Sequence, residues 1–204
     1  MKKVVDINLD GKKFTIDEDA YLELDKYLTT INKHFSTSTG FEDIIEDIET
    51  RIAELFEEKN KTQVISLPLV KEIQTIMGTP EDFGAAPHEQ DSSAQVVEKR
   101  LFRNPEDKVL GGVISGLAAY LGSENNVTLL RFIVFLMLLS GIGFFAYLLL
   151  WALIPEATTA SDRLAMRGED ININSIAKTV EDGVNEIKET VEDLHKNIKQ
   201  KFSS

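Results

Sequence analysis

Glu42, Asp43, Glu46, Asp47 and Glu49 form the densest set of side chains with chemistry of their own. On a helix Glu42, Glu46 and Glu49 share one face, a spacing at which carboxylates collect a divalent cation or a basic peptide. Acid–base catalysis would require burial of one carboxylate to raise its pKa, and the surrounding pattern is that of a solvated helix face. The three histidines, His34, His88 and His195, lie in separate segments without a partner motif. Cysteine is absent, which removes disulfides, thiolate nucleophiles and cysteine-based zinc sites. No glycine-rich phosphate loop, serine nucleophile elbow or His-Glu-x-x-His pattern occurs. The expectation is a non-enzyme with no catalytic, cofactor or metal site, in which Glu42, Glu46 and Glu49 are candidates for binding a protein partner.

The elements that carry these residues are set by charge and hydropathy. Residues 1–90 hold 10 Lys and Arg against 19 Asp and Glu, so phosphate backbones are repelled and direct nucleic-acid binding is disfavoured. Phe132 to Ile154 then runs for 23 residues without a charge. As one continuous helix at ~1.5 Å per residue it would be roughly 34 Å long, enough to cross a hydrocarbon core of about 30 Å. Arg131 precedes this run, and Tyr147 and Trp151 lie near its far end, where ring and charge anchor a span at the water–lipid boundary. The start, Met1-Lys2-Lys3-Val4, lacks the apolar run of a signal peptide. Lys99, Arg100, Arg103, Lys108 and Arg131 on one side outnumber Arg163 and Arg167 on the other. That bias places the N-terminus in the cytoplasm and the C-terminus outside.

Along the chain, Val5, Ile7 and Leu9 alternate with polar residues, Asp10-Gly11 supplies a two-residue turn, and Phe14 and Ile16 alternate on the return. The turn pairs Ile7 with Phe14 and Val5 with Ile16. Asp17 suits a helix N-cap. Three helices follow, marked by Ala20, Leu24, Leu28, Ile31 and Phe35, by Ile44 to Phe56, and by Leu67 to Ile76, with Gly78 and Pro80 as a stop. Residues 1–85 thus read as an acidic α+β domain of one β-hairpin and three helices, followed by a linker over 86–98. A glycine-rich helix over 110–121 is too short to span and is placed at the interface or folded against the span. The transmembrane helix covers about 130–154, and 156–172 reads as a second linker. Residues 173–202 carry Ile173, Ile176, Val180, Val184, Ile187, Val191, Leu194, Ile198 and Phe202 at steps of three and four, an amphipathic or coiled-coil helix. Ile187, Val191 and Leu194 are its candidate contacts, and homo-oligomerisation through 173–202 is an expectation. The expected fold class is therefore a membrane protein with one span; the alternative is a re-entrant hairpin with its turn at Ser140-Gly141-Ile142-Gly143, which would leave both ends on one side.

The short helix places Gly112 four residues before Gly116, and Ser115 four before Ala119. Such small-residue spacing lets two backbones approach closely within a membrane. Gly141 and Gly143 supply a second close-approach point at Ser140-Gly141-Ile142-Gly143, for the short helix or for a dimer contact. Gly112, Ser115, Gly116, Ala119, Gly141 and Gly143 are the candidate packing or switch residues.

Residues 99–155 resemble the PspC domain, named for phage shock protein C of the bacterial envelope-stress response. The resemblance rests on Lys99-Arg100-Leu101-Phe102-Arg103, Asp107-Lys108-Val109-Leu110-Gly111-Gly112-Val113, Gly116-Leu117-Ala118-Ala119-Tyr120-Leu121-Gly122, Leu130-Arg131-Phe132 and Tyr147 to Pro155. Ile114-Ser115 stands where the family often has a Cys-Gly pair, and Glu124-Asn125-Asn126 where an acid-proline pair is common. Residues 41–83, ending in Gly78-Thr79-Pro80-Glu81-Asp82, weakly resemble small helical signalling domains of bacterial membrane regulators. The resemblance implies a non-catalytic inner-membrane stress sensor that binds a PspA-like peripheral effector and a small PspB-like membrane protein. Two alternatives are a membrane-anchored regulator of the anti-sigma type and a structural oligomer.

Overall fold

The computed structural model describes residues 3–60, 64–79, 99–123, 126–138 and 141–202. The linker expected over 86–98, the helix stop at Pro80 and the Ser140 part of the close-approach point lie outside them. The chain divides into two compact units, Met1–His88 with Asn172–Ser204, and Glu89–Ile171.

In the first unit, strands β1 (Val4–Leu9) and β2 (Lys12–Asp17) are antiparallel. Asp10 and Gly11 both take positive φ (51° and 72°), the backbone twist that a two-residue hairpin turn requires. The register sets Ile7 opposite Phe14 and Val5 opposite Ile16. A two-residue strand β3 (Val64–Ile65) lies parallel to β2, giving the order β1-β2-β3. Helices α1 (Glu18–Phe35), α2 (Phe41–Lys59) and α3 (Leu67–Met77) complete this part. Each buries one stripe: Leu24, Ile31 and Phe35 from α1, Ile44, Ile48, Ile52 and Phe56 from α2, Val70, Ile73 and Met77 from α3, beside Ile16 and Ile65 of the sheet. The Tyr27 hydroxyl donates to the Gly78 carbonyl at 2.7 Å and ties α1 to the end of α3.

The long C-terminal helix belongs to this same unit. It is called α8 (Ile173–Phe202), and its first turns bury Ile173, Ile176, Ala177 and Val180 and pack on α2. Gly40, at the start of α2, permits the approach: a Cβ there would lie 3.0 Å from Val180 Cγ1 and 3.2 Å from Val184 Cγ2. From Asn185 onward every described side chain of the helix is exposed.

The second unit opens with an extended segment at 99–104 and one 3-10 turn, Leu110–Gly112. Helices α4 (Val113–Tyr120), α5 (Val127–Leu138), α6 (Ile142–Leu153) and α7 (Ala160–Arg167) follow. Here the structure overturns the single transmembrane helix. Among the described residues no helix is long and apolar enough to cross a membrane. The apolar run is two helices of 12 residues each, and at ~1.5 Å per residue each is roughly 18 Å long. The break falls at Gly141, whose φ of 75° and ψ of −43° leave the helical region at the start of α6. Glycine alone takes such a φ without a Cβ penalty. Hydropathy reports that every residue of the run is apolar; it does not report whether the hydrogen-bond ladder is continuous. The C-terminal helix α8 and helix α2 pack together within one unit.

Two boundaries also differ. Left-handed φ at Gly111 and Gly112 (84° and 76°) delays α4 to Val113. The stretch read as a linker over 156–172 contains α7, which opens with a capping box: Asp162 N–H donates to Thr159 Oγ1 at 3.1 Å and Thr159 N–H to Asp162 Oδ2 at 3.4 Å.

The two halves of α8 should answer differently to truncation. Ile176→Ala, at a fully buried position, should cost about 2–5 kcal/mol. Ile187→Ala, at a position 65 % exposed, should change stability by no more than about 0.5 kcal/mol. Hydrogen exchange of α2 and of residues 173–184 under increasing urea reads both values.

Candidate functional site

The site is the platform on which the α5–α6 hairpin stands, and one backbone crossing builds it. The extended segment at 101–104 runs over α4 with its carbonyls against the helix surface. A Cβ on Gly116 would land on the Phe102 carbonyl, well inside van der Waals contact, and one on Gly112 would meet the Asn104 carbonyl. The small-residue face of α4 thus receives an extended backbone where sequence spacing suggested a second helix. Ala119 joins Phe102, Ala157, Ala165 and Met166 in a small apolar core. Ser115 is buried and donates through Oγ to the Asp107 carbonyl at 2.7 Å, so it pins the following loop.

The crossing fixes Arg103. Its N–H donates to the Pro155 carbonyl at 2.8 Å and its carbonyl accepts from Ala157 N–H at 3.0 Å. This short parallel bridge brings the chain after α6 back beside the chain before α4. The guanidinium then ends α6: Nε donates to the Ile154 carbonyl at 2.9 Å and the group lies 5.6 Å from the Trp151 ring centre. A cation is favoured at this end of a helix and over an indole face. Arg103 Nη2 is also 3.6 Å from Glu156 Oε2, and Lys108 Nζ is 2.5 Å from Glu156 Oε1. The Lys108 hydrogen bond, aided by the charges of Lys108 and Arg103, holds the Glu156 carboxyl below its usual range.

Both arms of the hairpin return to the loop at 107–111. Arg131, in the second turn of α5, meets Asp107 Oδ1 at 2.6 Å. The Tyr147 hydroxyl of α6 donates to the Leu110 carbonyl. Trp151 lies over Gly111, where a Cβ would sit 2.6 Å from Trp151 Cδ1. Arg131, Tyr147 and Trp151, expected to mark opposite boundaries of a span, therefore gather on one loop. Below it, Arg163 and Arg167 of α7 hold Glu106 between them at 3.0 and 3.2 Å.

Away from the platform, α5 and α6 present an apolar exterior. Phe132, Phe135, Met137, Phe144, Phe145 and Leu153 are each about half or more exposed, up to 73 % at Phe145. Gly143 lies against the Met137 carbonyl at the turn, while Gly141 has open space around it.

The remaining candidates lie elsewhere. Glu42 and Glu46 are exposed on α2, and Glu49 is half-buried, its pKa raised by desolvation and by the nearby charges of Asp10 and Glu46. Among the described residues no group of acids or histidines is arranged to hold a metal ion. Ile187, Val191 and Leu194 lie on the exposed half of α8. Sequence reasoning missed Arg103, Asp107 and Glu156 as structural centres. Their partners are 24 to 53 residues away in the chain, and no local spacing signals such pairs.

Compared with known families, residues 99–157 match the PspC domain. Comparison with curated proteins and with solved structures finds no match. The match ends within the bridge at Ala157, and α7 beyond it packs on α4 in the same unit.

Two outcomes follow from the platform. Gly-to-Ala within a helix ordinarily gains ~1 kcal/mol, yet Gly116→Ala should lose about 3 kcal/mol because backbone atoms must move. Urea unfolding followed by the fluorescence of Trp151, the one tryptophan, gives the sign. For Glu156, a depressed folded-state pKa means a contribution fully present above the unfolded value of 4.5 and lost as pH falls through the lower folded value. Glu156→Gln should flatten that acid limb in the same fluorescence assay, by lowering stability at neutral pH while leaving it unchanged at low pH.

Proposed function

From the premise that residues 99–157 are a PspC domain, with the phage-shock-type stress-response role which that domain carries, we propose that this chain is a non-catalytic, membrane-associated regulator. Its α5–α6 hairpin lies in one leaflet of the bilayer. The apolar exterior of the hairpin carries the reading. A patch containing Phe132, Phe135, Phe144, Phe145 and Leu153 exceeds what a monomeric soluble surface normally leaves in water. Arms of roughly 18 Å match half of a hydrocarbon core of about 30 Å. Each arm satisfies its own backbone hydrogen bonds, as a lipid-exposed segment must, and the Gly141 N–H still donates to the Leu138 carbonyl at 3.2 Å. Arg103, Lys108 and Arg131 with their acid partners mark the level of the headgroups, where charge is tolerated.

On this reading the soluble parts stay on one side, and the acidic face of α2 with Glu42, Glu46 and Glu49 is where a PspA-like effector or a PspB-like membrane protein docks. Signalling follows if the platform and the inserted hairpin have two arrangements whose balance depends on lipid packing.

Replacing Phe135 and Phe145 by Glu places two charges at depth, each costing about 2.5–3.5 kcal/mol in a membrane interior. The native chain should float with phospholipid vesicles. The double variant should partition at least about a hundredfold less, with its circular dichroism unchanged. Membrane-impermeant labelling should reach residues 3–79 and 173–202 from the same side. Flotation of the double variant equal to the native chain, or labelling of the two regions from opposite sides, overturns the reading.

A further inference from the structure

We propose that the free half of α8 is the dimerisation surface of this chain, taking a second copy of itself in antiparallel orientation. The stripe that docks on α2 through Ile173, Ile176 and Val180 continues without a break into Ile187, Val191, Leu194 and Ile198, which are 54–65 % exposed. Val184, against Gly40, marks where one's own unit stops covering it. The 18 residues beyond form a helix of roughly 27 Å whose described side chains are all exposed, and most helical stability in proteins comes from packing an amphipathic face. A partner that covers the stripe would supply that packing.

Packing geometry limits the occupant. Ile187, Val191, Leu194 and Ile198 are spaced four, three and four and continue the stripe from Val184, the seam spacing by which one helix packs along another. One antiparallel register closes the exposed set on itself. Val191 faces Leu194 of the second copy, Ile187 faces Ile198, and the same contacts recur by symmetry.

Charge selects the orientation. Glu181, Asp182, Glu186, Glu189, Glu192 and Asp193 fill the first part of this stretch, and Lys196, Lys199 and Lys201 its end. Parallel pairing would align the acidic zones and bring two N-terminal domains together, each with 19 acids against 10 bases over residues 1–90. Antiparallel pairing sets each acidic zone beside the other copy's lysines, opposes the helix dipoles and carries the two acidic bodies to opposite ends. The Lys196–Asp193 pair within one helix is 3.5 Å long and exposed on both sides, so it holds neither group back. A bilayer surface suits this stripe poorly, since six acids against four Lys over 181–201 oppose the basic polar face of interfacial helices.

The native chain has no cysteine, so single substitutions report cleanly. Ile187→Cys and Ile198→Cys are prepared as full-length chains in detergent, one with a size tag, then mixed and oxidised. The antiparallel pair predicts the 187–198 heterodisulfide as the dominant product. Each variant alone should stay uncrosslinked, because the 187–187 offset of 11 residues is ~16 Å along the axis, beyond the roughly 7 Å a disulfide spans. Adding Leu194→Glu to both variants should abolish the product, with circular dichroism reporting that unit 1 remains folded. A 187–187 homodisulfide would mean a parallel pair, and monomer in every mixture would mean that no second copy binds; either overturns the proposal. The outcome is independent of vesicle flotation, so it can fail while the membrane reading stands.

Discussion

The second unit depends on a backbone lying against a backbone, where the segment at 101–104 crosses α4 at Gly112 and Gly116. No other residue type leaves room for the Phe102 and Asn104 carbonyls there. That crossing sets the position of Arg103, and Arg103 in turn holds the end of α6 through Ile154, Trp151 and Glu156. The loop at 107–111, pinned by Ser115, then receives Arg131 from the other arm. A chain whose apolar segment begins and ends on one platform has to turn back between them, and Gly141 is where it does so. The contacts around Arg103 are partly buried and each worth little alone; their effect comes from the convergence of Ile154, Trp151 and Glu156 on one guanidinium.

What was legible in the sequence was local. The β1–β2 register follows from Asp10-Gly11 and from period-two alternation, and the stripes of α1, α2 and α3 follow from spacings of three and four. These signals lie within a few residues, where sequence and geometry correspond directly. The parallel strand β3 escaped because two residues, Val64 and Ile65, carry no period. The capping box at Thr159 and Asp162, closed by Gly168, was a readable helix signal in a stretch taken for linker. The continuous span was misread for a different reason. A run of uncharged residues constrains solvent preference, whereas the backbone of Gly141 in its middle decides whether one helix or two will form. Within the site, Arg131, Tyr147 and Trp151 stood out as the polar and aromatic flanks of the apolar run, but their convergence on one loop needed the hairpin. Arg103 and Glu156 were invisible as a pair across 53 residues of chain.

The two units divide the work of burial differently. The first buries the stripes of α1, α2, α3 and the proximal part of α8, and leaves the distal stripe of α8 uncovered. The second buries a small core of Phe102, Ala119, Ala157, Ala165 and Met166 under its platform and turns most of its large apolar side chains outward on α5 and α6. A domain with more aromatic surface outside than inside has its stability and its location coupled, because the surroundings of the hairpin complete its packing. Arg131 and Arg103 are the side chains that join the two arms to the platform.

The claim on which this account turns is that α5 and α6 double back. Spin labels at Leu129→Cys and Leu153→Cys, on exposed positions of a chain with no native cysteine, measure it in lipid bilayers. Side-by-side helices with axes about 8–10 Å apart predict a label separation below about 20 Å. A continuous helix through the same 24 residues would place the labels ~36 Å apart, and a distribution centred there would contradict the hairpin and the platform built on it.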